Sequence, residues 1–246
     1  MTVTLAALVA AGCGGTKQTP STSSAPGPSV PRCSAGTRSL AGSTAVAWAA
    51  AVQRSTTAFR APGGRAIERF GIVNVNQAAM VFGVLGERVD ARCRATWLHV
   101  ALPIRPNGAT GWVRAANVVR TAVHTRITVD LSERRVRLYR DGRLILTAPA
   151  AIGSSATPTP LGRYYVNQRL IPSDPNGPYG PGAVGISAFS PVLTGWTQGG
   201  PIAIHGTNEP WSIGRAVSNG CIRIPNALLR KLFPLAVSGT PVLIRR

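Results

Sequence analysis

The sequence predicts a mainly β protein with two folded domains and one or two short helices. After residue 42 the chain consists largely of short runs of alternating apolar and polar residues, separated by Gly, Pro and Asn turn signals. One segment, 225–235, has helical periodicity, with apolar residues at 228, 229, 232 and 233. The length of 246 residues suffices for one or two domains that bury a core without disulfide support.

The first 42 residues lack the pattern of a packed domain. Residues 1–12 are a short apolar stretch ending in small residues, and Ala10-Ala11-Gly12-Cys13 resembles the bacterial lipobox. The resemblance implies that residues 1–12 are an export signal and that Cys13 receives a lipid. An apolar N-terminal strand or helix with an incidental cysteine is the alternative. Residues 13–42 are rich in Pro, Ser, Thr and Gly, which predicts a disordered tether.

Residues 43–121 form the first predicted domain. Its most informative segment is 97–113, where two apolar-polar runs flank Asn107-Gly108, and Asn-Gly readily supplies the positive φ angles of a hairpin turn. The segment resembles the closing hairpin of bacterial Src-homology-3-like barrels, which implies a small β-barrel. We expect Trp97, His99 and Trp112 to pack within it rather than to line a ligand groove.

Residues 122–246 form the second predicted domain. The runs 126–130 and 135–140 alternate cleanly, and Asp141-Gly142 supplies a turn before the run 143–147, so that the three predict a β-meander. The helical segment 225–235 follows near the end, and Pro234 is expected to end or kink it.

The charge of the chain is strongly positive. It has 27 basic and 8 acidic residues, for a net charge of +19, and nearly all the basic residues are arginines. Such a surface favours polyanions: nucleic acid, an anionic cell envelope or lipid headgroups. A compositional bias explains it equally well, because the arginines are scattered and form no basic block. The longest apolar runs, Leu5–Ala11 and Ala45–Val52, are too short to span a bilayer.

One thiol and one imidazole are the residues best suited to chemistry. His205-Gly206 precedes Ser218-Asn219-Gly220-Cys221-Ile222-Arg223, which places Cys221 sixteen residues after His205. A thiol attacks carbonyls as thiolate, and a nearby imidazole can take its proton and return it to a leaving amine. The neighbouring glycines allow a substrate to approach closely, and the N–H groups of the Ser-Asn-Gly-Cys loop could face an oxyanion. By spacing alone, an inert buried cysteine beside an unrelated histidine is the simpler interpretation.

The same stretch, with Thr157-Pro-Thr-Pro-Leu-Gly162, resembles the L,D-transpeptidase (YkuD-type) catalytic domain of bacterial cell-wall enzymes, over roughly residues 124–244. The resemblance implies a β-sandwich-like catalytic domain in which Cys221 is the nucleophile and His205 the general base. The Gly206 carbonyl would hold the imidazole in its working tautomer. Arg223 would orient the loop or a substrate carboxylate, and Ser218, Asn219 and Gly220 would shape the oxyanion site. Asn219 stands where the family most often has His, and Asn cannot carry a proton.

The resemblance also implies a reaction. Cys221 would attack the carbonyl between the third residue, a diamino acid, and the terminal D-Ala of a peptidoglycan tetrapeptide stem. D-Ala would leave, and an acceptor amine would resolve the thioester into a 3→3 cross-link. Carbapenems would acylate the same thiol, and no cofactor is implied. The alternatives are an L,D-carboxypeptidase, in which water is the acceptor, and a catalytically weak or inactive peptidoglycan-binding lipoprotein.

The cysteines and histidines complete the expectations. Export implies an oxidising compartment; with Cys13 lipidated and Cys221 a free thiol, Cys33 and Cys93 remain as a candidate disulfide. We expect no metal site, since the three histidines are far apart and lack paired ligands. The expected partners are stem peptides, anionic wall polymers and, through the lipid, the membrane, and the protein would be an exported, anchored lipoprotein facing the wall. Nucleic acid is not expected as a partner, because it conflicts with export.

Overall fold

The computed structural model describes residues 34–40 and 42–246. The predicted export signal, the lipidated Cys13, most of the tether and Cys33 lie outside the described residues. The described part of the chain forms eighteen strands, one α-helix and three 3-10 turns. The mainly β fold class predicted from the alternating pattern is therefore confirmed.

The first half of this structure is an eight-stranded sheet in the spatial order β4-β3-β7-β6-β5-β2-β8, with β1 also paired to β5. Its strands are β1 Gly36–Ser39, β2 Ala47–Val52, β3 Thr56–Phe59, β4 Ala66–Phe70, β5 Val81–Val89, β6 Ala95–Ala101, β7 Thr110–Arg114 and β8 Val118–Val123. Strands β2 to β7 all contribute side chains to one buried cluster around Phe82, Val100 and Val113, so the sheet curves around a single core as a half-barrel.

The hairpin predicted from Asn107-Gly108 joins β6 to β7. Gly108 adopts a φ of +84°, a left-handed conformation that glycine reaches without strain. Trp97 is buried against the edge of Phe59, and His99 stacks on Trp112 with ring centroids 4.9 Å apart. These aromatic residues pack within the sheet, as expected.

Strand β1 corrects the predicted end of the tether. Gly36–Ser39 pairs with one half of β5 while β2 pairs with the other half, so part of the segment 13–42 belongs to the fold. Gly86 permits the approach, because a Cβ there would lie 2.8 Å from the Arg38 carbonyl oxygen. Backbone hydrogen bonds rather than buried side chains hold this strand. Its sequence, Gly-Thr-Arg-Ser, therefore needs no alternation of apolar and polar residues.

The second half of the structure begins with the predicted meander. Its elements are β9 Thr125–Asp130, β10 Arg135–Arg140, β11 Arg143–Pro149, β12 Ile152–Gly153, β13 Gly162–Leu170, β14 Ala183–Phe189, β15 Pro201–His205, β16 Ala216–Ser218, β17 Ile222–Arg223, α1 Asn226–Leu232 and β18 Pro241–Arg245. Eight strands form a mixed sheet in the order β11-β10-β9-β18-β13-β14-β15-β17, and β12 pairs with β16. The predicted helix is confirmed: Leu229 and Leu232 on its apolar face are buried in the core of this sheet, and it ends before Pro234.

The two sheets pack directly on each other. Gly239 lies against Ala49, and the ring of Tyr165 on β13 covers Gly83 on β5. Loops of the first sheet also hold the β14–β15 loop. Arg105 donates to the carbonyl oxygens of Ser190 (2.7 Å) and Gly199 (2.6 Å). The half-barrel therefore supports the loop that leads into β15.

Candidate active site

The strand register brings His205 and Cys221 together. Strands β15 and β17 are parallel neighbours, with Ile204 beside Ile222, so Cys221 lies beside Ala203 and His205 is two residues further along. One strand spacing and two residues separate the two Cα atoms by about 8 Å. Both residues lie on the face of the sheet opposite Ile204 and Ile222, which are fully buried in the core. The sheet thus presents the thiol and the imidazole on one surface.

The imidazole of His205 is held in one orientation. Its Nδ1 donates to the carbonyl oxygen of Gly206 at 2.6 Å, which leaves Nε2 as the proton acceptor. The side chain is only 4% exposed, and burial lowers its pKa from 6.5 to about 4, with a smaller contribution from Arg223. The ring of Tyr179 packs against it at an interplanar angle of 62°, with ring centroids 5.0 Å apart. His205 is therefore neutral at physiological pH and able to accept a proton.

The thiol of Cys221 is protonated at rest. Burial raises its pKa, while a hydrogen bond from the Ala203 backbone and the charge of Arg223 act in the opposite direction. The Sγ atom lies 3.9 Å from the Pro201 carbonyl oxygen. A protonated thiol beside a neutral imidazole is the state from which a general base removes the proton as the thiol attacks.

The peptide plane between Gly206 and Thr207 is fixed from its far side by Asn226, the first residue of α1. The Thr207 N–H of this peptide donates to Asn226 Oδ1 at 2.8 Å, and Asn226 Nδ2 donates at 3.0 Å to the Thr207 carbonyl oxygen, which belongs to the next peptide. In a trans peptide the C=O and N–H point in opposite directions. Asn226 thereby aims the Gly206 carbonyl at His205. A side chain at Gly206 would overlap Asn226, which explains the glycine after the histidine.

The loop before Cys221 is braced in the same way. The hydroxyl of Thr157 donates to the Ser218 carbonyl oxygen, and that of Thr159 to the Gly220 carbonyl oxygen, both at 2.9 Å. The N–H groups of the same two peptides, on Asn219 and Cys221, point the other way. Within the described residues the Cys221 N–H has no acceptor, so it is free to receive an oxyanion.

Ser218 and Gly220 shape this loop rather than face a ligand. The Ser218 hydroxyl donates to the Cys221 carbonyl oxygen at 2.6 Å and accepts from the Gly220 N–H at 3.2 Å. Arg223 is engaged as well, in a salt bridge with Glu209 on the loop after β15. Through this salt bridge, Arg223 links the strand that follows Cys221 to the loop that follows His205.

A cleft of about 870 Å³ opens over this face of the sheet, and Cys221 and Asn219 line it. Tyr179, 50% exposed, and Trp196, 53% exposed, stand on loops at its sides. Among the described residues that line the cleft there is no Asp, Glu, Lys or Arg side chain, despite the net charge of the chain.

The model of one protein family, the YkuD L,D-transpeptidase catalytic domain, matches residues 124–244. These residues belong to that family. L,D-transpeptidases named YkuD from Bacillus licheniformis and Bacillus subtilis are 40% and 37% identical to this chain over 119 and 120 residues, 48% and 49% of its length. The alignments span 64% and 65% of these relatives. The solution structure of the catalytic domain of an Enterococcus faecium L,D-transpeptidase is 27% identical, covering 49% of this chain and 96% of that one, with a TM-score of 0.37.

Several residues of this L,D-transpeptidase domain escaped the sequence analysis. Asn226 and Glu209 carry no motif of their own, and their partners are found only once the chain has folded. Asn at the first position of a helix just after the Cys-x-Arg motif is the one available signal, since Asn often bonds backbone groups near helix starts. Thr157 and Thr159 lie in the family-like segment 157–162, but their hydrogen-bond partners are 61 residues away.

The remaining sequence predictions concern cysteines, metals and membranes. Cys93 is disulfide-bonded, and its expected partner Cys33 lies outside the described residues; Cys221 is a free thiol. No cluster of three or more metal-binding side chains occurs among the residues that the structure describes. In the same part of the chain, no helix is long and apolar enough to cross a membrane.

Proposed function

We propose that this protein is a cysteine-dependent L,D-transpeptidase that acts on peptidoglycan tetrapeptide stems, with Cys221 as nucleophile and His205 as general base. The observation that carries the proposal is the placement of both side chains on one face of adjacent strands, with Cys221 lining the cleft and Nδ1 of the imidazole already bonded to Gly206. Membership of residues 124–244 in the L,D-transpeptidase family supports the same reaction.

The proposed reaction has two acyl-transfer steps. Nε2 of His205 takes the thiol proton as Sγ attacks the carbonyl carbon that precedes the terminal D-Ala. The oxyanion accepts hydrogen bonds from the Cys221 N–H and the Asn219 N–H. The imidazolium returns the proton to the D-Ala nitrogen, the C–N bond breaks, and a thioester remains. An amine of a second stem then attacks the thioester, passes its proton through His205 to sulfur and forms a 3→3 cross-link.

The neutral resting pair suits this chemistry. A His205 pKa near 4 keeps Nε2 unprotonated at pH 7, and the raised pKa of Cys221 keeps the proton on sulfur until a substrate is present. Asn219 contributes through its backbone N–H in this mechanism, and a backbone group serves equally whether the side chain is Asn or His. The Asn therefore leaves the proposed chemistry intact.

Intact mass spectrometry of the full chain with a carbapenem tests the nucleophile. We expect one covalent adduct on the wild type, none on Cys221→Ala, and strongly slowed formation on His205→Ala. His124→Ala is the matched control, because His124 is exposed and bonds Asp141 far from the cleft. No adduct on a wild type whose thiol still reacts with an alkylating agent would favour the inactive, peptidoglycan-binding lipoprotein.

The acceptor is tested separately with tetrapeptide stems. A cross-linked dimer with release of D-Ala indicates transpeptidation, whereas a tripeptide with release of D-Ala indicates an L,D-carboxypeptidase. The ratio of dimer to tripeptide at increasing acceptor amine concentration separates the two activities. A ratio that stays near zero would assign hydrolysis.

We also propose that the protein is exported and anchored by a lipid on Cys13. The lipobox-like segment and the Pro- and Ser-rich residues that follow support this, and the net charge of +19 suits anionic wall polymers near the membrane. Palmitate labelling in a bacterial host tests the anchor: label and membrane association should be lost in Cys13→Ala and kept in Cys33→Ala. Binding to an isolated anionic wall polymer should weaken with salt.

A further inference from the structure

The floor of the active-site cleft is a row of four residues across four strands. Gln168 on β13 pairs with Gly185 on β14, Gly185 pairs with Ala203 on β15, and Ala203 lies beside Cys221. All four line the cleft. Three strand spacings of about 4.8 Å make the row about 14 Å long. The two central residues are small. The Gln168 side chain folds over Gly185, where a Cβ would lie 2.8 Å from its Cγ, so the open part of the floor runs from the Gln168 side chain to the thiol.

Side-chain amides gather at the end of the row remote from Cys221. Gln168 Oε1 accepts from Asn74 Nδ2 at 2.7 Å and from Asn76 Nδ2 at 3.1 Å. Asn76 also exchanges hydrogen bonds with Gln198: its Nδ2 donates at 3.3 Å, and Gln198 Nε2 returns a bond at 2.9 Å. Asn74 and Asn76 belong to the β4–β5 loop of the half-barrel, so the first sheet supplies one end of the cleft.

This amide cluster has spare hydrogen-bonding capacity and no charge. Asn76, Gln168 and Gln198 all line the cleft, and each amide has two donors and two acceptor sites. Asn74 turns its own Oδ1 toward the N–H groups of Asn76 and Ala78, which fixes the loop. The cluster therefore suits a neutral amide group, which both donates and accepts hydrogen bonds. A carboxylate or an ammonium group fits less well, because no charged side chain among the described lining residues would offset the cost of removing it from water.

The length of the row matches the proposed substrate. At about 3.3 Å per residue, the three residues that precede the reacting bond span about 10 Å, and an acyl group on their N-terminus extends this to about the length of the row. With the reacting carbonyl at Cys221, the other end of a tetrapeptide stem reaches the amide cluster. In the wall this end is joined to sugar through an amide bond, whereas a free peptide ends there in a charged amine.

We propose that Asn76 and Gln198, with Gln168, form a subsite for the amide bond at the N-terminal end of the donor stem, so that the enzyme selects N-acylated over free-amine stems. The inference rests on the proposed function. It assigns to the half-barrel a direct part in substrate selection, because Asn76 lies on the β4–β5 loop of the half-barrel and Gln198 on the β14–β15 loop of the second half.

The test compares two donors, a tetrapeptide with a free N-terminus and the same tetrapeptide N-acetylated. On the wild type, kcat/KM should favour the acetylated donor by about tenfold, the effect of one or two hydrogen bonds. In Asn76→Ala and in Gln198→Gly the preference should fall to about twofold. Gln198 has a φ of +58°, which glycine adopts without strain, so this variant remains informative even if Asn76→Ala fails to fold. Gln53→Ala, an exposed glutamine outside the cleft, should keep the full preference.

Either of two results would overturn the subsite. One is a kcat/KM for the free-amine donor that equals or exceeds that for the acetylated donor on the wild type. The other is an unchanged preference for the acetylated donor in Gln198→Gly. A disaccharide-linked tetrapeptide distinguishes the amide bond from sugar contacts: it should match the acetylated donor, and a much larger kcat/KM would assign the subsite to sugar instead. Carbapenem acylation of wild-type Cys221 is measured in parallel. Its absence would refute the proposed function itself, whereas acylation without donor preference refutes only the subsite.

Discussion

Replacing Asn226 tests whether the orientation of the imidazole depends on a residue that never touches the reacting atoms. Asn226→Ala removes both hydrogen bonds to Thr207, at 2.8 and 3.0 Å, and frees the Gly206–Thr207 peptide to rotate. At about 1 kcal/mol for each bond, the loss is about 2 kcal/mol. If it falls wholly on the orientation of the Gly206 carbonyl, acylation slows about 30-fold. Alanine favours helix, so α1 itself should persist.

The assay is the saturating rate of carbapenem acylation, measured across pH by the loss of carbapenem absorbance. We expect the rate constant to fall while the half-saturating concentration changes little, because Asn226 does not line the cleft. The wild-type rate should be flat above pH 5, since His205 is then neutral. In Asn226→Ala the rate should rise with pH as the thiolate fraction grows, as expected also for His205→Ala. Asn226→Asp keeps an acceptor for the Thr207 N–H and should be closer to wild type.

A merely structural role for Asn226 predicts a different outcome. In that case the melting temperature of Asn226→Ala would fall, but the folded protein would acylate within twofold of the wild-type rate and with the same pH profile. That result would refute the view that the Gly206–Thr207 peptide plane positions the base.

Three other substitutions probe burial, packing and charge. The free energy of unfolding, measured by urea titration, should decrease by up to about 3 kcal/mol as the pH falls from 6.5 to 4. In this range the histidine is protonated in the unfolded chain, whereas buried His205 stays neutral in the folded one, so His205→Gln should lack the decrease. Gly239→Ala would overlap Ala49 on the half-barrel at a φ of +92°, so its melting temperature should fall more than that of Gly214→Ala, where φ is +83° and the space is open. Glu209→Gln leaves its arginine partner uncompensated, which should lower the pKa of the nearby thiol and speed its alkylation at pH 7 a few-fold; an unchanged rate would contradict the electrostatic effect.

The parts of the fold that the sequence predicted are those that local patterns determine. The meander from residue 125, the hairpin at Gly108 and helix α1 each follow from periodicity or from a turn residue within one short segment. Strand β1 could not be predicted in this way, because its only signal is the free edge of β5, some 50 residues later. Pairing at the edge of a sheet depends on strands that are distant in sequence, so the local composition of a segment does not predict it.

The same distinction between local sequence signals and long-range contacts applies to the candidate site. Cys221 and His205 could be found from residue type and a family motif, because thiol and imidazole chemistry restricts which side chains can serve. Asn76 could not: its partners Gln168 and Gln198 are 92 and 122 residues away, and neutral amides are common on protein surfaces. Its place in the cleft depends on how the half-barrel packs against the second sheet, which no single segment encodes.

Backbone groups supply the polar environment of this site, and side chains on the far side of each peptide hold them in place. Asn226 fixes the peptide that aims a carbonyl at His205, while Thr157 and Thr159 hold the carbonyls of the two peptides that carry the N–H groups of Asn219 and Cys221. Dipoles fixed during folding need no reorganisation when charge develops on the substrate. This arrangement explains how His205 is oriented without an acidic partner: a carboxylate in contact with the imidazole would raise its pKa, whereas a neutral carbonyl fixes the tautomer and leaves Nε2 free to accept the thiol proton.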